Sequence, residues 1–544
     1  MNLEKLLHDR LAPALEAVAG EPVDPAVRRS PFADFQSAAP LALARRLGRP
    51  PREVAAEVAA KADLTGITVS GPGFLNLTVA DELITASLDA MLDDPRLGVA
   101  PETRPQRVVL DYSGPNAAKE MHVGHLRSTI IGDALARILG WLGHDVHRVN
   151  HLGDWGTPFG MLIEHLTETG AAGEHSLGDL TAFYRAARAR FDADAEFRTR
   201  ARLRVVALQA GDEPTRQAWR RLVDQSERAF LSVYERLGVT LGPGDFTGES
   251  AYQDDLAGLV AELAEKGLLS ESDGALCAFP AGFTGRDGGP LPLIIRKGDG
   301  GFGYAATDLA ALRRRVTELG ATELLYVVGA PQRMHFQMVF AVAREAGWLP
   351  ATVSAEHIGF GSVLGADGKM LKSRAGGTVR LAELLDEAAS RASAPQIGVA
   401  AIKYADLSGD RRADYVFDWD RMLASTGNTG PYLQYAYARV RSLSRKAAGP
   451  PGPIAVTDPA ERALGLAVLG FEPALRAAAA AREPHRLAGY LHDLAAAFSV
   501  FWERCPVASA DPPVRAGRKA LAELTGRTLH TGMSLLGIGA MEQI

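Results

Sequence analysis

At 544 residues the chain has room for roughly three or four domains. Its hydrophobic share of 47% and charged share of 23% are ordinary for a globular protein with a large core, and no run of about eighteen uncharged apolar residues marks a membrane span. A net charge of −6 gives no global basic footprint, which argues against a non-specific nucleic-acid coat and leaves local basic faces open; two cysteines, Cys277 and Cys505, are too few and too far apart for a disulfide framework or a cysteine zinc site, so a reducing cytoplasm is the expected compartment.

The first hundred residues read as one unit. "MNLEKLLHDRLAPALEAV" carries charge through its apolar face, as an amphipathic helix does and a signal peptide does not. Helical patterning runs through "LALARRLGRPPREVAAEVAAKA", and "ITVSGPGFLNLTVA" reads as strands about a Gly-Pro-Gly turn. After the linker "LGVAPETRPQR", the apolar run "RVVLDYSG" is of the buried-strand type. It leads to a helix opening at "HVGHLRSTIIGD", which continues through Leu135, Ile138, Leu139 and Leu142 and stops at Gly143. "DVHRVNHLGDW" supplies the next strand, and strand–helix–strand predicts a parallel sheet. Residues from about 170 to 270 are mostly helical and polar, an insertion between sheet halves. Sheet character returns at "GFGYAATDLA", "ELLYVVGA" and "EHIGFGSVL". From about 395 helical patterns run to the end, broken by the linker "GPPGP" at 449–453.

His122 and His125 bracket Gly124 at the start of the first helix after the first buried strand. Two histidines three apart could chelate a metal, but zinc wants a third protein ligand and no H-E-x-x-H pattern is present. They could also simply cap the helix or fill space. A third reading follows from position: a helix that starts at the carboxyl edge of a parallel sheet offers unpaired N–H groups and the positive end of its dipole to phosphate. Gly124 would let a flat nucleoside approach the backbone, and imidazole N–H groups would bond phosphate oxygens in the transition state. No Walker P-loop is present. About 250 residues later, "GKMLKSRAGGTVRL" places Lys369, Met370, Lys372 and Ser373 in a loop rich in small residues. A lysine run by itself is usually a solvated face.

Together the two stretches resemble the HIGH and KMSKS signatures of class I aminoacyl-tRNA synthetases, with Val123 replacing Ile in the first and Leu371 replacing Ser in the second. The block from "DYSGPNAAKEMHVGHLRSTIIGD" through "HLGDWGTPFGMLI" is similar to arginyl-tRNA synthetases, as are "LQAGDEPTRQAW", "GESAYQDDL", "YAATDLAAL", "YVVGAPQRMHFQMVF" and "NTGPYLQYAYARVRSL". "FADFQSAAPLALARRLG" and "GPGFLNL" resemble that family's additional N-terminal domain, and the end, "LLGIGAMEQ", is also family-like. The resemblance thus covers nearly the whole chain.

It implies a multidomain α/β protein: an α+β N-terminal domain over 1–103 that contacts the tRNA elbow, a Rossmann-like catalytic domain over 104–394 with the helical insertion, and an all-α anticodon-binding domain over 395–544. It also implies ATP-dependent ligation of L-arginine to its tRNA through an arginyl-adenylate, with Mg²⁺ bridging phosphates and no zinc. His122, Gly124, His125, Lys369, Met370, Lys372 and Ser373 then hold ATP, with both histidines and both lysines catalytic through charge stabilisation. A guanidinium is best read by carboxylates; the resemblance assigns arginine to Asp111, Asn116, Tyr304, Asp308 and Gln332. Tyr304 and Asp308 are one helical turn apart, although Asp308 taken alone could equally pair with an arginine of "LRRR". Candidates for tRNA contact are Phe32, Phe35 and Gln36 near the N-terminus, and Tyr435, Arg439 and Tyr490 towards the C-terminus. The family commonly ends in Glu-Arg-Met, whereas this chain ends with Gln543 and Ile544. Activation that needs bound tRNA, a monomeric state and no membrane partner complete the expectations. The rivals are a class I enzyme for cysteine or glutamine, a non-catalytic tRNA-binding relative, and a histidine-metal hydrolase.

Overall fold

The computed structural model describes residues 2–169, 180–285, 288–372 and 378–543. The chain forms two compact units: Met1–Pro101 with Ser425–Ser534 and Gly539–Ile544, and Glu102–Ala424 with Leu535–Ile538.

In the first unit, α1 (Leu3–Ala19) is capped by Asn2, whose side chain accepts from the Lys5 amide, and it ends at Gly20 in the left-handed conformation. Strands β1 (Val27–Arg29) and β2 (Phe35–Ser37), helices α2 (Ala39–Leu47) and α3 (Pro51–Lys61), and strands β3 (Ile67–Ser70) and β4 (Phe74–Leu77) follow, then α4 (Asp81–Leu92). The strands form an antiparallel sheet in the order β1-β2-β4-β3.

The second unit opens with β5 (Arg107–Asp111), α5 (Val123–Trp141), β6 (Asp145–Leu152) and α6 (Thr157–Glu168). The insertion contributes α7 (Leu180–Ala193), α8 (Ala195–Gln209) and α9 (Glu213–Leu237), and their apolar faces close a core with α6 around Phe159, Leu162, Phe197 and Leu222. The polar run then ends in β7 (Phe246–Gly248), which joins the central sheet, and α10 (Gln253–Glu265). Three short strands, β8 (Ser270–Ser272), β9 (Ala275–Ala278) and β10 (Leu293–Arg296), make a separate antiparallel sheet. Next come α11 (Tyr304–Thr317), β11 (Glu323–Tyr326), α12 (Arg333–Glu345), β12 (Ser354–His357) and β13 (Val363–Leu364). The unit closes with α13 (Leu381–Arg391), α14 (Pro395–Leu407), β14 (Tyr415–Val416) and α15 (Trp419–Met422).

The central sheet is parallel throughout, in the order β12-β11-β5-β6-β7. Taken in order of appearance this is the 3-2-1-4-5 arrangement of a doubly wound fold. Its topological switch point lies between β5 and β11, and ligands bind at the carboxyl edge there. "GFGYAATDLA", expected as strand, is instead the start of α11; its Ala-rich face is buried between the sheet and its neighbours, and packing outweighs the weak local pattern. Residues 395–424, expected with the C-terminal helices, fold with the sheet, where α14 packs on α5.

The C-terminal helices α16 (Gly430–Lys446), α17 (Pro459–Val468), α18 (Phe471–Ala481), α19 (His485–Arg504) and α20 (Pro512–Leu535) complete the first unit. Pro459–Ala481 has the length and mean hydropathy of a membrane span, but it breaks at Leu469–Gly470 into α17 and α18, and half of it is buried in the bundle.

Candidate functional site

Four strand ends deliver the side chains of interest to one edge: Asp111 from β5, Asp154 after β6, Glu249 after β7 and the Gly329–Gln332 turn after β11. Helices α5 and α11 start at the same edge, bringing His122 and His125, and Tyr304 and Asp308.

His122 is the N-cap of α5, and with His125 it makes a reciprocal capping box. Gly124 N donates to His122 Nδ1 at 3.1 Å, and His122 N donates to His125 Nδ1 at 3.1 Å. Both Nδ1 lone pairs are therefore used as acceptors, so each neutral ring carries its proton on Nε2. The rings lie 4.1 Å apart, tilted by 40°. Burial pushes the His125 imidazole down to about 3, helped by His122; burial and Lys119 lower His122 as well. His125 is thus a neutral hydrogen-bond donor across the physiological range and no proton shuttle. The free N–H groups expected in the first turn are already satisfied: Val123 N donates to Val379 O at 3.0 Å and His125 N to His122 O at 2.8 Å. The ring Nε2–H groups are the donors that the capping box leaves unused at this point. Gly124 is needed for the ring, since a Cβ there would stand 2.8 Å from His122 Cε1.

Lys369, Met370 and Lys372 are exposed on the hairpin that leaves β13. Gly365 N donates to Lys369 O at 2.8 Å, Leu371 N to Val363 O at 3.1 Å, and Lys372 is bridged to Thr378. Ser373 lies outside the described residues. The returning arm runs directly beside the histidines: His122 is bridged to Arg380, and Leu381 N donates to Met121 O at 2.9 Å. The two distant signatures of the sequence thus share one backbone scaffold.

The acids behave differently from one another. Asp111, expected to hold a guanidinium, is already paired with the buried Arg315, Nη2 to Oδ2 2.7 Å. Its charge is partnered by the chain's own guanidinium. The arginine of "LRRR" that competes for an acid therefore takes Asp111 and leaves Asp308. Asp308 instead meets His335 Nε2 at 2.6 Å. Tyr304 is 73% exposed, one turn before it. Glu249, which sequence reasoning passed over, is the third acid. Burial first, then Asp308, then Asp154 push its carboxyl up to about 8. Asp154 is fixed by Ser250, whose N and Oγ donate to it at 2.9 and 2.6 Å. Asn116 and Gln332 are exposed on turns of the same edge. Glu249 is half-buried, and burial together with Asp308 and Asp154 favours its neutral form. Among the described residues no group of three or more His, Cys, Asp or Glu side chains could hold a metal.

In the first unit Phe32 is 79% exposed, whereas Phe35 is buried in the sheet under Arg29, 4.6 Å from its ring. Phe35, a candidate for stacking a base, has no free face to offer. Gln36 donates to Asn76 Oδ1 at 2.7 Å. Tyr490 donates its hydroxyl to Val468 O at 3.2 Å and packs near Phe471, so its ring belongs to the bundle. Tyr435 is half-buried and Arg439 exposed on α16. Gln543 follows Glu542, which pairs with Arg441 at 3.1 Å; Ile544 lies outside the described residues.

Three family models match the chain: "tRNA synthetases class I (R), catalytic domain" over residues 87–395, "DALR anticodon binding domain" over 433–544 and "Arginyl tRNA synthetase N terminal domain" over 1–79. The arginine–tRNA ligase of Thermobifida fusca is 51% identical, with 99% of each chain covered. Among solved structures, the arginyl-tRNA synthetase of Plasmodium falciparum superposes with a TM-score of 0.87 at 28% identity, covering 100% of this chain and 99% of that one. The Thermus thermophilus arginyl-tRNA synthetase gives 0.83 at 27% identity, with 100% of each chain covered.

Proposed function

The chain belongs to the arginyl-tRNA synthetases of class I and joins arginine to tRNA at the expense of ATP, and from that premise we propose which side chains carry each part of the work. The observation that carries the assignment is the His122–His125 capping box, which leaves two Nε2–H donors side by side at the switch-point edge. Those two donors hold oxygens of the ATP phosphates, Lys369 and Lys372 bring positive charge from the hairpin, with Met370 against the nucleotide, and Ser373, next in the sequence, adds a hydroxyl. The arginine carboxylate attacks the α-phosphorus in line, pyrophosphate leaves, and the terminal ribose hydroxyl of tRNA then takes the arginyl group from the adenylate. No protein nucleophile is required, since positioning and charge stabilisation suffice for phosphoryl chemistry. Mg²⁺ would enter with the phosphates of ATP, neutralising their charge, and would need few ligands from the protein.

Arginine sits with its guanidinium against Asp308 and Glu249, with Tyr304 over it, and with its head group towards Asn116 and Gln332. Asp111, at the end of β5, holds Arg315 by an ion pair. Phe32 in the N-terminal sheet domain, and Tyr435 and Arg439 in the helical bundle, contact tRNA, with Gln36 held in place by Asn76. The enzyme works as a cytoplasmic monomer.

Pyrophosphate exchange into ATP, run with each amino acid with and without tRNA, tests the reading. Exchange driven by arginine and dependent on tRNA is expected; exchange driven by another amino acid overturns it. Asp308→Asn should raise the arginine KM by roughly 10–100-fold, the loss of one charge-assisted contact, and move the ATP KM less than about threefold. Equal effects on both would remove Asp308 from the guanidinium site.

A further inference from the structure

The hairpin bearing Lys369 and Lys372 has two arms, and each is referenced to α5 by a different device. The returning arm is bonded by backbone to Met121 and Val123, with Arg380 Nε on Glu120 at 2.9 Å. The outgoing arm, β13, pairs instead with β14. Gly361 N donates to Arg411 O at 2.9 Å, Ser362 N to Asp414 Oδ1 at 2.6 Å and Phe417 N to Leu364 O at 2.8 Å. A Cβ on Gly361 would stand 2.6 Å from that Asp414 oxygen, so the two segments are in tight contact. What fixes the β14 segment to α5 is Arg127, two residues after His125. Its Nη1 donates to Ala413 O at 2.9 Å and its Nε to Asp406 Oδ1 on α14 at 3.2 Å. The guanidinium lies near the Tyr415 and Phe360 rings, 5.3 and 5.9 Å from their centroids. Arg127 is 2% exposed and Asp406 equally buried, so neither reaches a substrate.

A planar fork donates from two atoms at fixed spacing to acceptors on two elements while stacking near two rings, whereas an ammonium gathers its donors on one nitrogen at the end of a flexible stem. A buried ion pair is also poor evidence of a purely stabilising role, because well-packed apolar residues often replace such a pair at no cost. We propose that Arg127 is a positioning residue for adenylate formation: through Ala413 and Asp406 it sets where Lys369 and Lys372 stand relative to His122 and His125. The proposal rests on the assignment of those four residues to ATP.

Three variants test it, with exchange measured in the presence of tRNA. Arg127→Lys keeps the charge beside Asp406 but gathers its donors on one nitrogen and loses the fixed spacing between Nε and Nη1; it should melt close to wild type while kcat for exchange falls about tenfold and the ATP KM rises. Arg127→Met leaves Asp406 unpaired and should melt lower. Arg127→Met with Asp406→Leu removes both charges and should recover the melting temperature without recovering exchange, and the arginine KM should stay within about threefold throughout. Recovery of exchange together with stability in the double variant, or wild-type exchange in Arg127→Lys, would overturn the positioning role. His125→Ala is run in parallel: wild-type exchange there would instead remove the ATP assignment on which the proposal stands.

Discussion

The proposed contact of Glu249 with the guanidinium carries a pH dependence of defined sign. Burial and the neighbouring Asp308 and Asp154 favour its neutral form, pushing it up to about 8. A bound guanidinium does the reverse, since an opposite charge within a few ångströms favours the carboxylate. The sign follows: below about pH 8, binding arginine must first expel a proton, so the arginine KM should rise by up to about tenfold per pH unit as pH falls, until the carboxyl of the complex itself protonates. Above pH 8 the dependence should vanish. Glu249→Gln should bind arginine weakly at pH 8.5 and lose most of the slope. A wild-type arginine KM that stays flat between pH 6.5 and 8.5, with Glu249→Gln binding arginine as wild type does, would show that Glu249 does not touch the substrate. Nothing in "GDFTGESAY" announces this residue. The acid becomes legible only when β7 sets it beside α11, about 60 residues later, and no periodicity encodes that meeting. Asp111 is the converse case. Its type and place suit a cation, but the cation it meets is Arg315 of its own chain.

The start of α5 joins the sequence signature to its geometry. The apolar run before it and the three-and-four spacing of Leu135, Ile138 and Leu139 made β5 and α5 legible from residues alone, because both periods are strong and long. The capping box was not legible in its detail: a glycine between two histidines fits a close approach by a ligand, whereas the structure shows the close approach to be that of His122's own ring. Gly124→Ala therefore separates stability from activity. Alanine is the better helix former by about 1 kcal/mol, which favours the variant. The new Cβ at 2.8 Å from Cε1 must push the His122 ring away, and rotating one half-exposed side chain costs little. The melting temperature should hold within a few degrees while kcat for exchange falls about 10²-fold, the loss expected for one preorganised donor. Full activity in this variant would mean that His122 is a cap and nothing more. Short elements were the ones that escaped: β1, β2 and β7 have three residues each, too few to show alternation.

At the scale of the molecule, the two ends of the chain fold as one unit, and helix-rich composition at each end gave no sign of it. Charge holds part of that unit together. Arg462 of α17 donates to both oxygens of Asp34 at 2.7 and 2.8 Å, to Val79 O at 2.6 Å and to Asp81 at 2.7 Å. Asp34 belongs to "FADFQS", the stretch that also presents Phe32. Burial pushes the Asp34 carboxyl up, but the Arg462 hydrogen bonds and the Val79 amide outweigh it and hold the group below its ordinary value. A depressed carboxyl stabilises the fold at pH values above its unfolded pKa near 4, and the contribution is lost as pH falls through the lower folded value. Removing the partner of a fully buried ion costs roughly 3–5 kcal/mol. Arg462 is 24% exposed and the Val79 N–H remains, so Arg462→Ala should cost less, about 2–3 kcal/mol, at pH 7. Urea unfolding followed at pH 7 and again near pH 3 checks both the size and the sign. The gap between variant and wild type should narrow once Asp34 takes up its proton, because a neutral carboxyl no longer needs the guanidinium. Arginylation at low tRNA concentration should fall with the same variant, and exchange at saturating tRNA should not, since Arg462 is not among the residues proposed to hold arginine or ATP. A gap as wide at pH 3 as at pH 7 would mean that Arg462 stabilises the unit through its packing and not through Asp34.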